Sequence, residues 1–518
     1  MAPVASTPRA RRFRPAYTGM MTSYRELVQR FDRHYLLRSS ADVLEWDAQA
    51  VMPEGSGDLR AAQLGTLRVL AHDAIATPDM EDHLVAAEAA PPADEWERAN
   101  LASMRRAWVH AAAVPAALVE AQARAASSCE LAWRTARRDD DFASLVPKLT
   151  EVVSLTRQVG EAKAAAMGLS VYDALADENE RGSREAILTP LFARLERELP
   201  PLVDRILEVQ ARARRAPDLG GPFPVARQAA LGRHLAERMG FDFARGRLDV
   251  SAHPFCGGAA EDVRMTTRYD ERDFLSSVMG VVHETGHALY EMGLPRAWTR
   301  QPVGLAVGMG MHESQSLLME MQAARSNELL RYLAGVAATE LGIDPAVLSV
   351  EALRRHALCV RRSLIRVDAD EATYSLHVIV RFTLERALLS GDLAVKDLPV
   401  AFRDRMERVV GIRPDTDRDG CLQDVHWPSG AFGYFPSYTV GAIAAAQLFA
   451  AALVQHPGIP AELSRGEFTS LRTFARDQVH QHGSRYDTNT LLTRATGRGL
   501  DVEALLGHLR RRYLGASA

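Results

Sequence analysis

His283 and His287 stand four residues apart with a glutamate, Glu284, next to the first. On a helix that spacing turns both imidazoles to one face, where both can reach one metal ion. Glu284 projects near the same edge, within reach of a water on that ion. Such a set suits hydrolysis: the metal makes water acidic and polarises a carbonyl, and the carboxylate moves the proton. A chance HExxH in a chain of this length is on the order of 3%, so the five residues alone are a hypothesis. The alternative is two ordinary histidines on a surface or core helix. Val281, Val282, Ala288 and Leu289 mark the helix as buried. Imidazoles and a carboxylate on the inner face of a buried helix need partners.

Local signals bound that helix. Asp273 is a credible N-cap, Phe274–Met292 is rich in apolar residues, and Gly293 followed by Pro295 is a stop. Zinc held by two histidines usually takes a third protein ligand and leaves one place to water. Six residues after His287 stands Gly293, not a third histidine, so a downstream glutamate is expected. Glu313, in His312-Glu313-Ser314-Gln315 at the start of the next apolar-periodic helix, is the first candidate. Glu320, two turns on, is the fallback. Glu291 lies on the His287 helix and reads as an outer or solvated group.

Helices must carry all of this. From Tyr24 to about Met239, apolar residues recur at three- and four-residue spacing. Breaks are expected at Met52-Pro53-Glu54-Gly55, at Ala90-Pro91-Pro92, at Leu199-Pro200-Pro201 and across Pro217–Pro224. Arg247–Ser251 and Val263–Tyr269 alternate and are the best strand candidates, joined by the turn-rich Pro254-Phe255-Cys256-Gly257-Gly258. Helices return after that. The expected fold class is mostly α, a single large helical body with a small β element near residues 247–270. Val440–Val454 is the most apolar stretch, but it is short, Ala-rich and centred on Gln447, so it reads as a buried helix and no membrane contact is expected.

The bulk properties narrow the function class. The 518 residues carry 62 Lys+Arg against 66 Asp+Glu, a net charge of −4, which gives no sign of a nucleic-acid partner. Cys129, Cys256, Cys359 and Cys421 are scattered with no CxxC pair. They read as free thiols in a reducing compartment, and a cytoplasmic location is expected. Residues 1–20 hold Arg9, Arg11, Arg12 and Arg14 and no acid. They read as a disordered Arg-rich tail rather than a targeting segment.

Several segments, in order, match one family. They are His253-Pro254-Phe255, Asp262-Val263-Arg264-Met265-Thr266, His283–His287, His312–Gln315, Ile365-Arg366-Val367-Asp368-Ala369-Asp370, and Gly420–Trp427 containing Gln423, Asp424 and His426. Leu44-Glu45-Trp46-Asp47 with Met52-Pro53 adds an early match. The chain resembles the carboxypeptidase Taq family of metallocarboxypeptidases over essentially everything after residue 20. The resemblance implies a helical body with a deep groove, residues 21–245 as its wall and lid and 246–518 as its metal-site core. It also implies removal of single residues from peptide C-termini with broad specificity, and a homodimer. The metal ligands carry over to His283, His287 and Glu313, and the general base to Glu284. One divalent ion per chain is implied, with zinc first and cobalt or manganese as alternatives.

Two further roles follow from that resemblance. The oxyanion needs a donor besides the metal: His426 is the first choice, with Tyr434 or Tyr438 as alternates, against plain core packing for that aromatic run. The substrate's free carboxylate needs a guanidinium fork: Arg366 and Arg264 are the candidates, against structural ion pairs with Asp262, Asp368 or Asp370. His253 can line the same end or merely stabilise a turn. Asp370, Glu371 and Asp424 are candidate partners for the ligand imidazoles. His480, His482 and Gly483 read as a helix end. A rival reading is a zinc oligopeptidase; a non-catalytic peptide-binding scaffold is a second, although no catalytic role has lost its residue.

Overall fold

The structure, a computed structural model, describes residues 16–213 and 216–515, with side chains from Ser23 onward. Residues 1–15 of the expected tail lie outside the described residues; from Ala16 the backbone is already helical, in a helix running Ala16–Ala50.

Helices dominate and pack as one body. Three of the four expected breaks occur. The helix Met80–Ala89 ends before Pro91-Pro92, the helix Gly57–Ile75 starts beyond the Pro53 turn, and the segment 216–224 has no helix. The fourth does not: the helix Glu185–Arg212 runs through Pro190, Pro200 and Pro201. Proline removes a helical hydrogen bond and crowds the preceding turn. Here Leu195, Leu199, Val203 and Ile206 are each 0% exposed, so packing of that face outweighs the local cost.

The β element is a three-stranded sheet of β1 (Gly246–Val250), β2 (Cys256–Ala259) and β3 (Asp262–Thr267), in the order β1-β3-β2. β3 is central; β1 pairs with it in parallel, from Gly246 opposite Val263 to Val250 opposite Thr267. β2 pairs antiparallel, Cys256 opposite Met265. The expected turn-rich link thus contributes a strand of its own. Trp46, from the first long helix, is 1% exposed and fixes that helix to the sheet. The guanidiniums of Arg247 and Arg264 lie 5.0 and 4.8 Å from its ring centre.

Two large apolar cores carry the site. One joins residues of the helices before the sheet, such as Leu149, Phe192 and Leu199, to Leu376, Phe402, Phe435 and Leu506. The other packs Phe274, Val278, Val282 and Tyr290 against Met311, Leu330, Leu448 and Phe474. The N-terminal helices keep a small core of their own around Leu27, Phe31, Leu84 and Met104. The apolar helix Pro436–Gln455 is long and apolar enough to cross a membrane, but it runs through the body. Its Gln447 is satisfied: it donates to the Gly499 carbonyl and accepts from the Asp501 N–H, both at 2.9 Å.

Candidate metal centre

Three crossing helices build the centre. The helix Phe274–Gly293 begins where expected, with the Asp273 carboxylate accepting from the Ser276 N–H. It buries one face and leaves His283 and His287 side by side. Gly286, between them, is where the helix Met309–Leu317 crosses: a Cβ there would meet the Gln315 carbonyl oxygen at 2.5 Å and the Ser316 Cα at 2.6 Å. That close approach brings Glu313 over the histidines. The helix Pro436–Gln455 lies on the far side of Glu313, where a Cβ on Gly441 would meet the Glu313 Cβ at 2.7 Å.

The three side chains point at one spot. Nε2 of His283 and of His287 lie 3.8 and 3.5 Å from Glu313 Oε2. The donor atoms of all three fall within 4.8 Å of one another. These separations are at or beyond the limit of a hydrogen bond. They suit donors that share an ion at about 2 Å.

Each imidazole is held from behind. His283 Nδ1 lies 3.0 Å from Glu320 Oε2, and Glu320 Oε1 accepts from Arg325 at 2.7 Å. His287 Nδ1 lies 2.7 Å from Nδ1 of His312, whose Nε2 is 2.9 Å from Glu291 Oε1. Such outer partners fix ring orientation and leave Nε2 free for a metal. Burial opposes a charge on His283, but the carboxylates of Glu320, Glu313 and Glu284 outweigh it and lift the imidazolium to about 10. The same negative field favours a divalent cation. Burial lifts the Glu284 carboxyl to about 7, with Glu313 adding to the effect and His283 opposing it. A divalent metal fits this donor set.

A second polar cluster lies near Glu313, whose charge acts on its Tyr374, Tyr434 and Tyr438. Arg366, 5% exposed, donates from Nε and Nη2 to Asp424 Oδ1 at 3.0 and 2.9 Å, and from Nη1 to the Tyr374 hydroxyl at 2.9 Å. Arg381, 0% exposed, donates from Nε to Asp424 Oδ2 at 2.6 Å. Two guanidiniums thus share one carboxylate, which leaves a positive excess of one. Arg366 keeps one hydrogen on each terminal nitrogen with no acceptor among the described residues. Its guanidinium lies 4.9 Å from the centre of the Tyr438 ring. His426 Nε2 lies 3.2 Å from the Tyr438 hydroxyl, and the Tyr434 ring is 5.6 Å from the imidazole. Burial pulls His426 down to about 4, so it is neutral at pH 7. Burial pushes Tyr438 up to about 12 and Tyr434 higher still, and the nearby Glu313 charge adds to both. These groups are neutral, and the two tyrosines lie within the field of Glu313.

Other sequence candidates fall elsewhere. Arg264 pairs with Asp262 at 3.0 and 2.6 Å and stacks on Trp46, with no hydrogen bond to the Arg366 cluster among the described residues. His253 has an exposed side chain, and its carbonyl accepts from the Ser251 hydroxyl at 2.6 Å, a turn contact. Neither Asp370, Glu371 nor Asp424 backs a ligand imidazole. Asp370 caps the backbone at Arg361, Ala372 and Thr373. Glu371 pairs with Arg512 and His508, and Asp424 holds the two arginines. Glu320 and His312 do that work instead. Glu320 sits in a π-helical turn, Leu318–Ala324, a local widening often found at functional sites. His480 bonds Gln315 at 3.0 Å at a helix end closed by Gly483, as expected. Arg381 was missed, although a charged residue inside the apolar run Val378–Phe382 is a legible signal.

Comparison with known proteins agrees with this centre. Residues 26–513 match the model of the carboxypeptidase Taq (M32) metallopeptidases. Thermostable carboxypeptidase 1 of Thermus thermophilus is 36% identical, over 95% of this chain and 98% of that protein. Carboxypeptidase 1 of Bacillus subtilis is 32% identical, over 94% and 97%. Among solved structures, Trypanosoma cruzi metallocarboxypeptidase 1 superposes with a TM-score of 0.92 at 37% identity, covering 95% of this chain and 99% of that one. The M32 carboxypeptidase of Deinococcus radiodurans gives 0.90 at 34% identity, covering 95% and 99%. The chain belongs to the carboxypeptidase Taq (M32) family, and it is a metallocarboxypeptidase that hydrolyses peptides with the help of a divalent metal.

Proposed function

We propose that this metallocarboxypeptidase removes single residues from peptide C-termini with broad specificity, holding zinc on His283, His287 and Glu313. The observation that carries the reading is the positive excess of the Arg366–Arg381–Asp424 cluster, whose neighbours Tyr374 and Tyr438 feel the Glu313 charge. A buried, uncompensated guanidinium edge is matched by a carboxylate in two hydrogen bonds. An internal peptide bond offers no such charge.

A divalent ion in this donor set supplies Lewis acidity and makes water nucleophilic at neutral pH. The chain's own residues do the rest. Glu284 takes the proton of the attacking water and returns it to the leaving amine. Arg366 holds the terminal carboxylate with its two free N–H groups, and so selects which peptide bond lies over Glu284. Asp424 and Arg381 keep that guanidinium from turning. Neutral His426, with Tyr438 or Tyr434 beside it, donates to the oxygen that gains charge. Residues 21–245 serve as wall and lid, and the enzyme works as a homodimer. The free thiols Cys129, Cys256, Cys359 and Cys421 support a cytoplasmic setting.

Mass spectrometry of a peptide digested as free acid and as C-terminal amide tests the proposal. Stepwise loss of single residues from the acid, with the amide left intact, is expected. An amide cut as fast as its acid favours the internal-cutting oligopeptidase reading instead.

A further inference from the structure

The helix that carries Glu313 has no cap of its own. Met309–Leu317 starts after Gly308, and neither Gly308 nor the first turn offers a side-chain acceptor to its opening N–H groups. The acceptor comes from 130 residues upstream. Glu180, 5% exposed, places Oε2 at 2.5 Å from the Gly310 N–H, and the Met311 N–H also reaches it. Its other oxygen, Oε1, accepts from the Thr488 hydroxyl. Both oxygens of a buried carboxylate are thus engaged, and its charge faces the positive end of a helix.

The surroundings are shaped to admit it. A Cβ on Gly308 would lie 2.7 Å from Glu180 Oε2, and one on Gly310 would lie 2.8 Å from it. Glu180 and Gly308 also pair as an isolated antiparallel bridge. The turn that delivers Glu180 is pinned in its own right. Asp177, 3% exposed, accepts from Arg184 at 2.7 Å, from Arg106 at 2.9 Å and from the Gly182 N–H at 3.0 Å.

From this we propose that Glu180 is a positioning residue for the metal centre: it caps the Met309–Leu317 helix in trans and thereby fixes Glu313 against His283 and His287. It touches neither metal nor substrate. The inference rests on the reading of those three residues as ligands.

The test measures zinc affinity by chelator competition, with the melting temperature of the metal-free protein alongside. Glu180→Ala is expected to bind zinc about tenfold more weakly, the lower end for loss of a group behind a metal ligand. Glu180→Gln is expected to restore most of it, because its amide oxygen can accept from Gly310 while its NH2 donates to Thr488. A Glu180→Ala protein with a lower melting temperature but wild-type zinc affinity overturns the inference, since the carboxylate is then a fold contact only. A Gln variant as weak as Ala also overturns it. If Glu180→Ala does not fold, Glu180→Asp draws the carboxylate back from the Gly310 N–H by one methylene; it must weaken zinc binding, and unchanged affinity overturns the inference. Glu313→Ala separates the two levels. Unchanged zinc affinity there removes the ligand reading itself, whereas a null result at Glu180 alone does not.

Discussion

Replacing Arg366 by methionine keeps the length of the side chain and removes its charge and fork. In the protein Arg366 spends Nε and one hydrogen of Nη2 on Asp424 and one hydrogen of Nη1 on Tyr374. Two hydrogens remain for a substrate carboxylate. Without Arg366 the cluster falls from an excess of one positive charge to neutrality, because Arg381 and Asp424 cancel. A unit charge pair about 4 Å apart at an effective dielectric of about 20 is worth roughly 4 kcal/mol. Charged hydrogen bonds are worth about 1.5–3 kcal/mol each, and they overlap with that figure. A loss of about 3–4 kcal/mol corresponds to a fall in kcat/KM of roughly 150–900-fold on free-acid peptides. On the amide of the same peptide the change is expected to stay within about threefold, because no charge is lost there. Arg366→Lys keeps the charge but not the fork and is expected to lose about tenfold. The assay is the acid-to-amide ratio of kcat/KM for each variant, with melting temperatures to show that folding is kept. A fall of less than about fivefold on the acid, or an equal fall on acid and amide, refutes the assignment.

Three further outcomes follow from the geometry. Gly286→Ala drives a methyl group into the backbone at Gln315 and Ser316; it should cost about 1–3 kcal/mol of stability and weaken zinc binding as the two helices part, and wild-type zinc affinity in chelator competition would contradict the close crossing. Glu320→Ala removes the group that holds His283 Nδ1 and should weaken zinc affinity about 10–100-fold, read in the same competition assay. Glu385 is buried with Tyr172 donating to it at 2.5 Å, and burial lifts its carboxyl from 4.5 to about 7. A raised folded pKa means stability that is fully present below pH 4.5 and is lost as pH rises through 7, about 3 kcal/mol in all. Urea unfolding of wild type and Glu385→Gln from pH 4 to 8 should show a steeper loss of stability with pH in the former; parallel curves would show that Glu385 does not titrate in this range.

Local sequence carried the elements whose cause is local. The Phe274–Gly293 helix was bounded by an Asp cap and a Gly-Pro stop, and both ends fell where those signals put them. Helical spacing put His283 and His287 on one face, and the structure keeps them there. The helix continues through Pro200 and Pro201 because a strong local break signal loses to a buried face made by distant partners. Cys256-Gly257-Gly258 reads as a turn-rich link within a ribbon of two or three strands; it becomes the third because β3 supplies its hydrogen bonds.

The site divides along the same line. Residue type and spacing nominated the atoms that would hold a metal and move a proton, since donor chemistry and helix periodicity belong to the chain itself, and the structure brings the three proposed metal donors together. Which groups stand behind those atoms was decided in three dimensions. Glu320 looked like a spare ligand and stands behind His283. Asp424 looked like a partner for the imidazoles and holds two arginines. Arg264 looked like a substrate clamp and braces Trp46. Glu180, 130 residues before Gly310, carries no sequence signal for its place at all. Each of these depends on which helices cross and how closely, and that is fixed by the packing of cores drawn from the whole chain.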